Sequence, residues 1–208
     1  MTLLDIGGGY PGDRGFQRLF DQIAHTINDS LAEHFPEESG VRVIAEPGRF
    51  FVASAFTLYT TVIAKREAGG RPMYYLNDGV YGSFNCTVFD HAEPVPFALR
   101  GGGPLVACSL WGPTCDSMDL VLEDALLPEL QPGDWVVFEN MGAYTLCAAS
   151  TFNGFQAPEV KYMLTYATSA FLRELPFWER LCPHLGSLAG KEEPACGSPG
   201  PPALEARA

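Results

Sequence analysis

Three consecutive glycines, Gly7-Gly8-Gly9, follow the short apolar run Leu3 to Ile6 and precede an amphipathic segment. Between a strand and a helix, backbone N–H groups of such a loop could cradle a phosphate. A turn that needs positive φ asks for the same residues. Glu46-Pro47-Gly48-Arg49 closes the next strand-like run. There a guanidinium could bind phosphate bidentately and a carboxylate could hydrogen-bond a heterocyclic nitrogen, although a surface ion pair accounts for those four residues equally well. Both loops follow consecutive strands of one crossover unit, which places them at the same sheet end, where α/β proteins bind ligands. In Trp111-Gly112-Pro113-Thr114-Cys115-Asp116 a thiol and a carboxylate are adjacent in a loop shaped by Gly and Pro. The neighbouring acid disfavours a thiolate, so this is not a cysteine nucleophile; a proton donor, a substrate-facing pair or a buried Cys beside a turn-forming Asp all fit. Asp90-His91 reads as a hydrogen-bonded pair or as plain loop. No Ser/His/Asp spacing suggests a hydrolytic triad, and His25 and His34 fall on the polar side of a helix.

The elements that would carry these residues change in texture along the chain. Phe16, Leu19, Phe20, Ile23, Ile27 and Leu31 recur at three- and four-residue steps and give one apolar helix face. With strands at Leu3–Ile6 and Val41–Ala45, the first 50 residues read strand, glycine turn, helix, strand. Beyond them, β-branched and aromatic residues fill Phe50–Ala64. Strand-like stretches follow at Met73–Leu76, Gly82–Phe89, Leu105–Leu110, Trp135–Phe138, Tyr144–Ser150 and Val160–Tyr166. Their spacing predicts an antiparallel sandwich or barrel. Ala167–Leu181 reads as a helix that Pro176 interrupts, and the Gly/Pro/Ala/Glu-rich stretch after Gly186 as disordered tail.

Composition narrows the function classes. The chain has 208 residues, 13 basic against 25 acidic side chains, and a formal net charge of -12. That balance argues against nucleic-acid binding, which needs clustered Lys and Arg to displace counterions. The apolar stretch Phe50–Ala64 is shorter than the roughly 20 residues of a membrane span and carries Ser and Thr, so no membrane partner is expected. The N-terminus has neither the basic nor the long apolar region of a signal peptide. Six scattered cysteines without a CxxC pair imply no metal site, reduced thiols and a cytoplasmic location. Only three lysines occur: Lys65, Lys161 and Lys191.

Leu4-Asp5-Ile6-Gly7-Gly8-Gly9, Glu46-Pro47-Gly48-Arg49, Asn77-Asp78-Gly79-Val80-Tyr81-Gly82-Ser83-Phe84, Trp111 to Asp116 and Glu139-Asn140-Met141-Gly142-Ala143-Tyr144 closely resemble the ornithine decarboxylase and antizyme inhibitor family, in order and in one register from about Leu3 to Thr165. The resemblance implies pyridoxal 5'-phosphate as cofactor, with Gly7, Gly8, Gly9 and Arg49 on its phosphate, Tyr144 assisting, and Glu46 on its pyridine nitrogen. It implies that Asp90 holds the distal ammonium of an ornithine-like substrate. The family's active site lies between two chains. Cys115 and Asp116 would therefore reach into the partner's site, Cys115 to return a proton to the carbon that loses CO2 and Asp116 to bind the same ammonium. Phe152 matches an aromatic lining that site.

The fold class that follows is α/β plus all-β: the last strand-helix-strand part of a TIM barrel over residues 1–53, an antiparallel β-domain over 54–180 and a disordered tail over 181–208. Two departures from the family are equally informative. The segment in which relatives carry most of the barrel, the Schiff-base lysine and the helix region that binds antizyme has no counterpart here, so antizyme binding is not expected. Lys65 follows a strand of the second domain, Lys161 lies in a late strand and Lys191 in the tail, and none matches the Schiff-base lysine. Two strands also cannot close an eight-stranded barrel, leaving Leu3, Ile6, Phe20 and Ile44 short of packing partners. The expectation is an ornithine decarboxylase-like chain, inactive alone, that forms a homodimer or pairs with a full-length decarboxylase.

Overall fold

The computed structural model describes residues 1–178 and Arg180. The tail expected over 181–208, with Cys182, Lys191 and Cys196, lies outside the described residues. Met1–Pro158 forms one compact unit and the chain from Glu159 onward another.

The first unit starts with β1 (Leu3–Asp5), α1 (Gln17–His34) and β2 (Arg42–Ile44), and β1 pairs with β2 in parallel. This is the strand-helix-strand order read from the sequence. The apolar stripe of α1 is half-buried at Phe20, Ile23, Ile27 and Leu31, and Phe20 stacks on Phe50 at 4.4 Å between centroids. No residue of α1 is fully buried, and Leu3, Phe16 and Leu19 are exposed.

Phe50–Ala64, rich in β-branched and aromatic residues, is not of one secondary structure. It divides into the short helix α2 (Gly48–Val52), a 3-10 turn at Ala53–Ala55, and the start of β3 (Leu58–Ala68). β4 (Arg71–Leu76) returns antiparallel to β3, and Lys65 lies within β3 rather than after a strand. Gly82–Phe89, expected as a strand, is instead a 3-10 turn at Ser83–Asn85 running into α3 (Cys86–Phe89). The side chains of Asp78 and Asn85 take up the backbone groups there and divert them from a ladder.

β5 (Pro96–Ala98), β6 (Leu105–Trp111), β7 (Leu120–Pro128) and β8 (Trp135–Phe138) complete a six-stranded sheet of order β5-β8-β3-β4-β6-β7. Its pairs are antiparallel except β4 with β6, which run parallel. The register of β3 shifts between Val62 and Ala64, just where β3 leaves β8 and takes up β4. Such an irregularity bends the sheet, and its outer strands β5 and β7 approach each other, nearly closing a barrel. Tyr144–Ser150 forms no strand; the chain makes a 3-10 turn at Leu146–Ala148.

The core lies inside this sheet, on Val62, Tyr74, Leu76, Leu110, Leu127, Val136 and Phe138, with Phe84 set edge-on against Phe138 at 4.7 Å. Tyr74 is fully buried, and its hydroxyl accepts the Leu130 N–H at 2.9 Å. Replacing Tyr74 by Phe leaves that buried N–H without a partner, so unfolding in urea should show a loss of about 1–3 kcal/mol.

In the second unit the helix α4 spans Tyr166–Glu174. It starts at Tyr166 because the Thr165 side chain accepts the Thr168 N–H at 3.1 Å. It stops at Glu174 because Leu175, the residue before Pro176, is extended with ψ 138. The strand expected over Val160–Tyr166 does not form, so Lys161 sits in irregular chain, where it pairs with Glu159.

Candidate functional site

The residues singled out in the sequence gather into two groups. The first is built on the ends of β1 and β2. Asp5 Oδ1 accepts the Gly7 N–H at 2.8 Å, and the Glu46 N–H donates to the Gly7 carbonyl at 2.8 Å. Gly7 and Gly9 have φ of 69 and 83. Gly8 is the closest approach: a Cβ there would lie 2.5 Å from the Glu46 carbonyl oxygen. Glycine is thus required for the two loops to lie together, and among the described residues no acceptor takes the Gly8 or Gly9 N–H. The Glu46 carboxylate likewise has no partner among the described residues.

Arg49 enters the same group from the first turn of α2. Its Nη2 lies 2.5 Å from Asp90 Oδ2, and its guanidinium carbon 5.1 Å from the centroid of the Tyr144 ring. Arg49 and Asp90 are both about a quarter exposed. Asp90 therefore faces the guanidinium rather than pairing with His91. Tyr144 has φ 54, a left-handed conformation that a bulky residue holds only when its loop is fixed from outside. Here the Met141 N–H donates to the Phe56 carbonyl and the Gly142 N–H to the Ala53 carbonyl, each at 3.0 Å. Gly142 lies so close to the Val52 carbonyl that no Cβ fits. On the other side Asn140 Oδ1 accepts the Arg14 N–H at 2.9 Å, and Arg14 Nη1 lies 2.8 Å from Glu139 Oε1.

The second group stands on the β6–β7 connection. Tyr81, which had no assigned role, donates its hydroxyl to Asp116 Oδ2 and stacks on Phe152 at 4.2 Å. Cys115 is exposed, and Asn153 Nδ2 donates to its Sγ at 3.5 Å. The Met118 N–H and the Tyr81 hydroxyl hold the Asp116 carboxyl below the ordinary carboxylate range, and the same bond pushes the Tyr81 phenol up. Asp116 is therefore a stable anion beside a thiol and two aromatic rings, a setting suited to an organic ammonium. Among the described residues no hydrogen bond, ion pair or ring contact joins this group directly to the first, and no cluster of three or more His, Cys, Asp or Glu side chains could hold a metal ion.

Two buried carboxylates fasten the second group. Asp119 Oδ1 accepts the Val80 N–H at 2.8 Å and Oδ2 the Thr114 N–H at 2.9 Å. Asp78 Oδ1 accepts the N–H groups of Gly79 and Ser83, while its Oδ2 is buried without a partner. Burial pushes the Asp78 carboxyl up; the Ser83 and Gly79 bonds oppose the shift and the nearby Asp119 adds to it. Since the native chain binds this proton more tightly than the unfolded one, stability falls as pH rises from about 4 through the raised native value. Urea midpoints should show that slope in the wild type and lose it in Asp78→Asn. Composition and spacing pointed to neither Asp119 nor Tyr81, although both lie inside or next to the quoted motifs.

Comparison with known proteins gives the family. A family model described as pyridoxal-dependent decarboxylase, pyridoxal binding domain, matches residues 1–53. Another, the C-terminal sheet domain of the same decarboxylases, matches residues 43–142. Antizyme inhibitor 2 of Xenopus laevis is 52% identical over 182 residues, covering 80% of this chain and 40% of that protein. Ornithine decarboxylase of Cricetulus griseus is 51% identical over 179 residues, covering 79% and 39%. Among solved structures, lysine/ornithine decarboxylase of Vibrio vulnificus complexed with putrescine has TM-score 0.68 and 43% identity, covering 76% of this chain and 42% of that one. Arginine decarboxylase of Paramecium bursaria Chlorella virus bound to agmatine has TM-score 0.68 and 40% identity, covering 74% and 43%. The chain thus spans about two fifths of the length of these relatives.

Pyridoxal phosphate is the family's cofactor, and the first group fits its phosphate and pyridine ends. The uncommitted Gly8 and Gly9 amides, the glycine-only approach to Glu46 and the Arg49 guanidinium suit an anion, and the unpartnered Glu46 carboxylate suits a ring N–H. With both family models matched in order and relatives at about half identity, the chain belongs to the pyridoxal-dependent decarboxylase family, among the relatives of ornithine decarboxylase and antizyme inhibitor.

Proposed function

We propose that the chain is an ornithine decarboxylase-like protein of polyamine (putrescine) metabolism that binds pyridoxal phosphate and a basic amino acid but does not decarboxylate on its own. The observation that carries this is the engagement of Lys65. Its ammonium lies 2.6 Å from Glu129 Oε1, on the β-domain strand β3, and that bond raises its pKa above the ordinary lysine value. An amine that must attack a carbonyl has to be free and deprotonated, and Lys65 is neither. Lys161 is paired with Glu159 in the other unit.

The roles assigned to the chain's residues follow from their chemistry. Gly8, Gly9 and Arg49 would hold the phosphate, with Tyr144 keeping the guanidinium in place, and Glu46 would take the ring N–H. When bound, the cofactor supplies an electron sink for the bond to the departing carboxylate. Asp90 would bind the distal ammonium in the chain's own site, while Asp116 would bind it in the site of the chain it pairs with, where Phe152 and Tyr81 would keep water away and the Cys115 Sγ would hold the proton delivered to the substrate carbon. Arg49 and Asp90 neutralise one another, so an incoming phosphate and an incoming ammonium exchange one ion pair for two. Free thiols at Cys86, Cys108, Cys115 and Cys147 suit the reducing cytoplasm, where we place the protein.

The separation of the site into two groups favours a second reading, a non-catalytic protein that pairs with a full-length decarboxylase and lends it Cys115 and Asp116. Mixing the chain with an ornithine decarboxylase whose own matching cysteine is replaced decides between them. CO2 release restored by the wild-type chain but not by Cys115→Ala supports the pairing. No restoration and no co-elution refutes it. CO2 release by the chain alone refutes the first proposal.

A further inference from the structure

Asn85 is completely buried at the end of the 3-10 turn Ser83–Asn85, in neither group of site residues. Its Nδ2 donates to two backbone carbonyls, that of Gly82 three residues back in the same turn at 2.7 Å and that of Thr145, 60 residues on, at 2.6 Å. Gly82 follows Tyr81, whose hydroxyl holds Asp116 and whose ring carries Phe152. Thr145 follows Tyr144, whose ring lies against Arg49. Both protons of one amide are thereby spent on joining the backbone of the Asp116 group to that of the cradle. The carbonyl oxygen of the same amide, Oδ1, is buried with no partner. A residue chosen for stability alone would satisfy that oxygen or be apolar; this one gives up an acceptor to keep two donors in place.

We infer that Asn85 is a positioning residue that couples the two groups, so that filling the phosphate cradle changes the environment of Cys115. The inference rests on the proposed cradle. Its physical path is short and contiguous: from Arg49 to the Tyr144 ring, through the Thr145 carbonyl to Asn85, through the Gly82 carbonyl to Tyr81, and from its hydroxyl to Asp116, next to Cys115. The Ser150 N–H adds a parallel tie to the Tyr81 carbonyl at 2.8 Å, which keeps the 144–150 segment and Tyr81 neighbours when the amide is removed. Asn85→Ala thus breaks the tie between the two loops without freeing either of them entirely. In the paired arrangement proposed above, one chain's two groups serve different sites, and Asn85 would tie those sites together.

Pyridoxine 5'-phosphate is a suitable probe, because it carries the phosphate and ring but no aldehyde to react with lysines. Its binding to the full chain is measured by calorimetry, and the rate of Cys115 alkylation by iodoacetamide is followed by peptide mass spectrometry with and without it. In the wild type, saturation should change the Cys115 rate at least threefold. In Asn85→Ala the probe should still bind within tenfold of the wild type, while the Cys115 rate becomes the same with and without it. Without probe, that rate should exceed the wild-type value at least threefold. An Asn85→Ala chain that keeps the full response, or a wild type that binds the probe with no response, overturns the inference. Failure of the wild type to bind removes the cradle reading instead, and the probe-free rates then decide: a wild-type rate in Asn85→Ala overturns the coupling. Asn85→Ser, which keeps one donor, should restore part of the response, and unfolding of both variants would make Asn85 a core residue and overturn the inference as well.

Discussion

Asp119→Ala is expected to lower the unfolding free energy by about 3–5 kcal/mol. Asp119 is almost wholly buried, and each carboxylate oxygen takes one backbone N–H, from Val80 on one loop and from Thr114 on the other. Its own backbone closes the turn, since the Gly112 N–H donates to the Asp119 carbonyl at 2.7 Å and the Asp119 N–H to the Asp116 carbonyl at 3.0 Å. Removing the side chain leaves two buried donors unmet, each costing about 1–3 kcal/mol. Gly79 and Gly112 press on the carboxylate with no room for a Cβ, so no other side chain can move in to replace it. Asp119→Asn keeps the shape and one acceptor and should lose about half as much. Urea unfolding measures both, and an alanine variant within about 1 kcal/mol of the wild type would refute the clamp.

Arg49→Ala is expected to weaken pyridoxine 5'-phosphate binding about 100-fold, since charge-assisted bonds to phosphate are worth about 1.5–3 kcal/mol each. Arg49→Lys should lose about tenfold, because a lysine keeps the charge but neither the planar fork nor the stacking on Tyr144. The competing carboxylate gives an independent check. Asp90 holds Arg49 at 2.5 Å, so Asp90→Asn should release the guanidinium and tighten phosphate-probe binding several-fold. Calorimetric titration reads all three variants. Unchanged affinity in Arg49→Ala would remove Arg49 from the cradle.

Much of this architecture is legible in the residues themselves. The α1 face at three- and four-residue steps, the strands around Met73, Leu105 and Trp135, and the glycine loop with Glu46 and Arg49 at one sheet end all lie where spacing put them. β7 was not legible, because Glu123 and Asp124 interrupt its apolar pattern. The register shifts of β6 against β7 explain why: Val121, Ala125 and Leu127 are inward while both acids face solvent, and Asp124 pairs with Arg71 at 2.7 Å. β5 is only three residues long and starts at Pro96. Gly82–Phe89 carries strand-like residues, yet side chains of the loop itself supply the hydrogen bonds a ladder would have offered. The ties made by Asp119, Tyr81 and Asn85 were invisible for a different reason. Each joins segments that only tertiary structure brings together, and no local pattern encodes a partner 39, 35 or 60 residues away.

The modest burial of α1 bears on what a ligand does to this chain. Cooperative strength in a protein follows buried apolar contact, and segments without it open locally at a fraction of the global cost. Here the strongest part is the sheet core, whereas the glycine loop hangs on β1, β2 and a helix with no fully buried side chain. A phosphate compound that bridges Gly8, Gly9 and Arg49 would act as a staple between a weak foldon and a strong one. At 100 times its dissociation constant such a ligand adds about 2.7 kcal/mol. Amide exchange would place that gain in residues 1–50 and leave the sheet's own protection unchanged. For these residues, binding and folding become a single equilibrium.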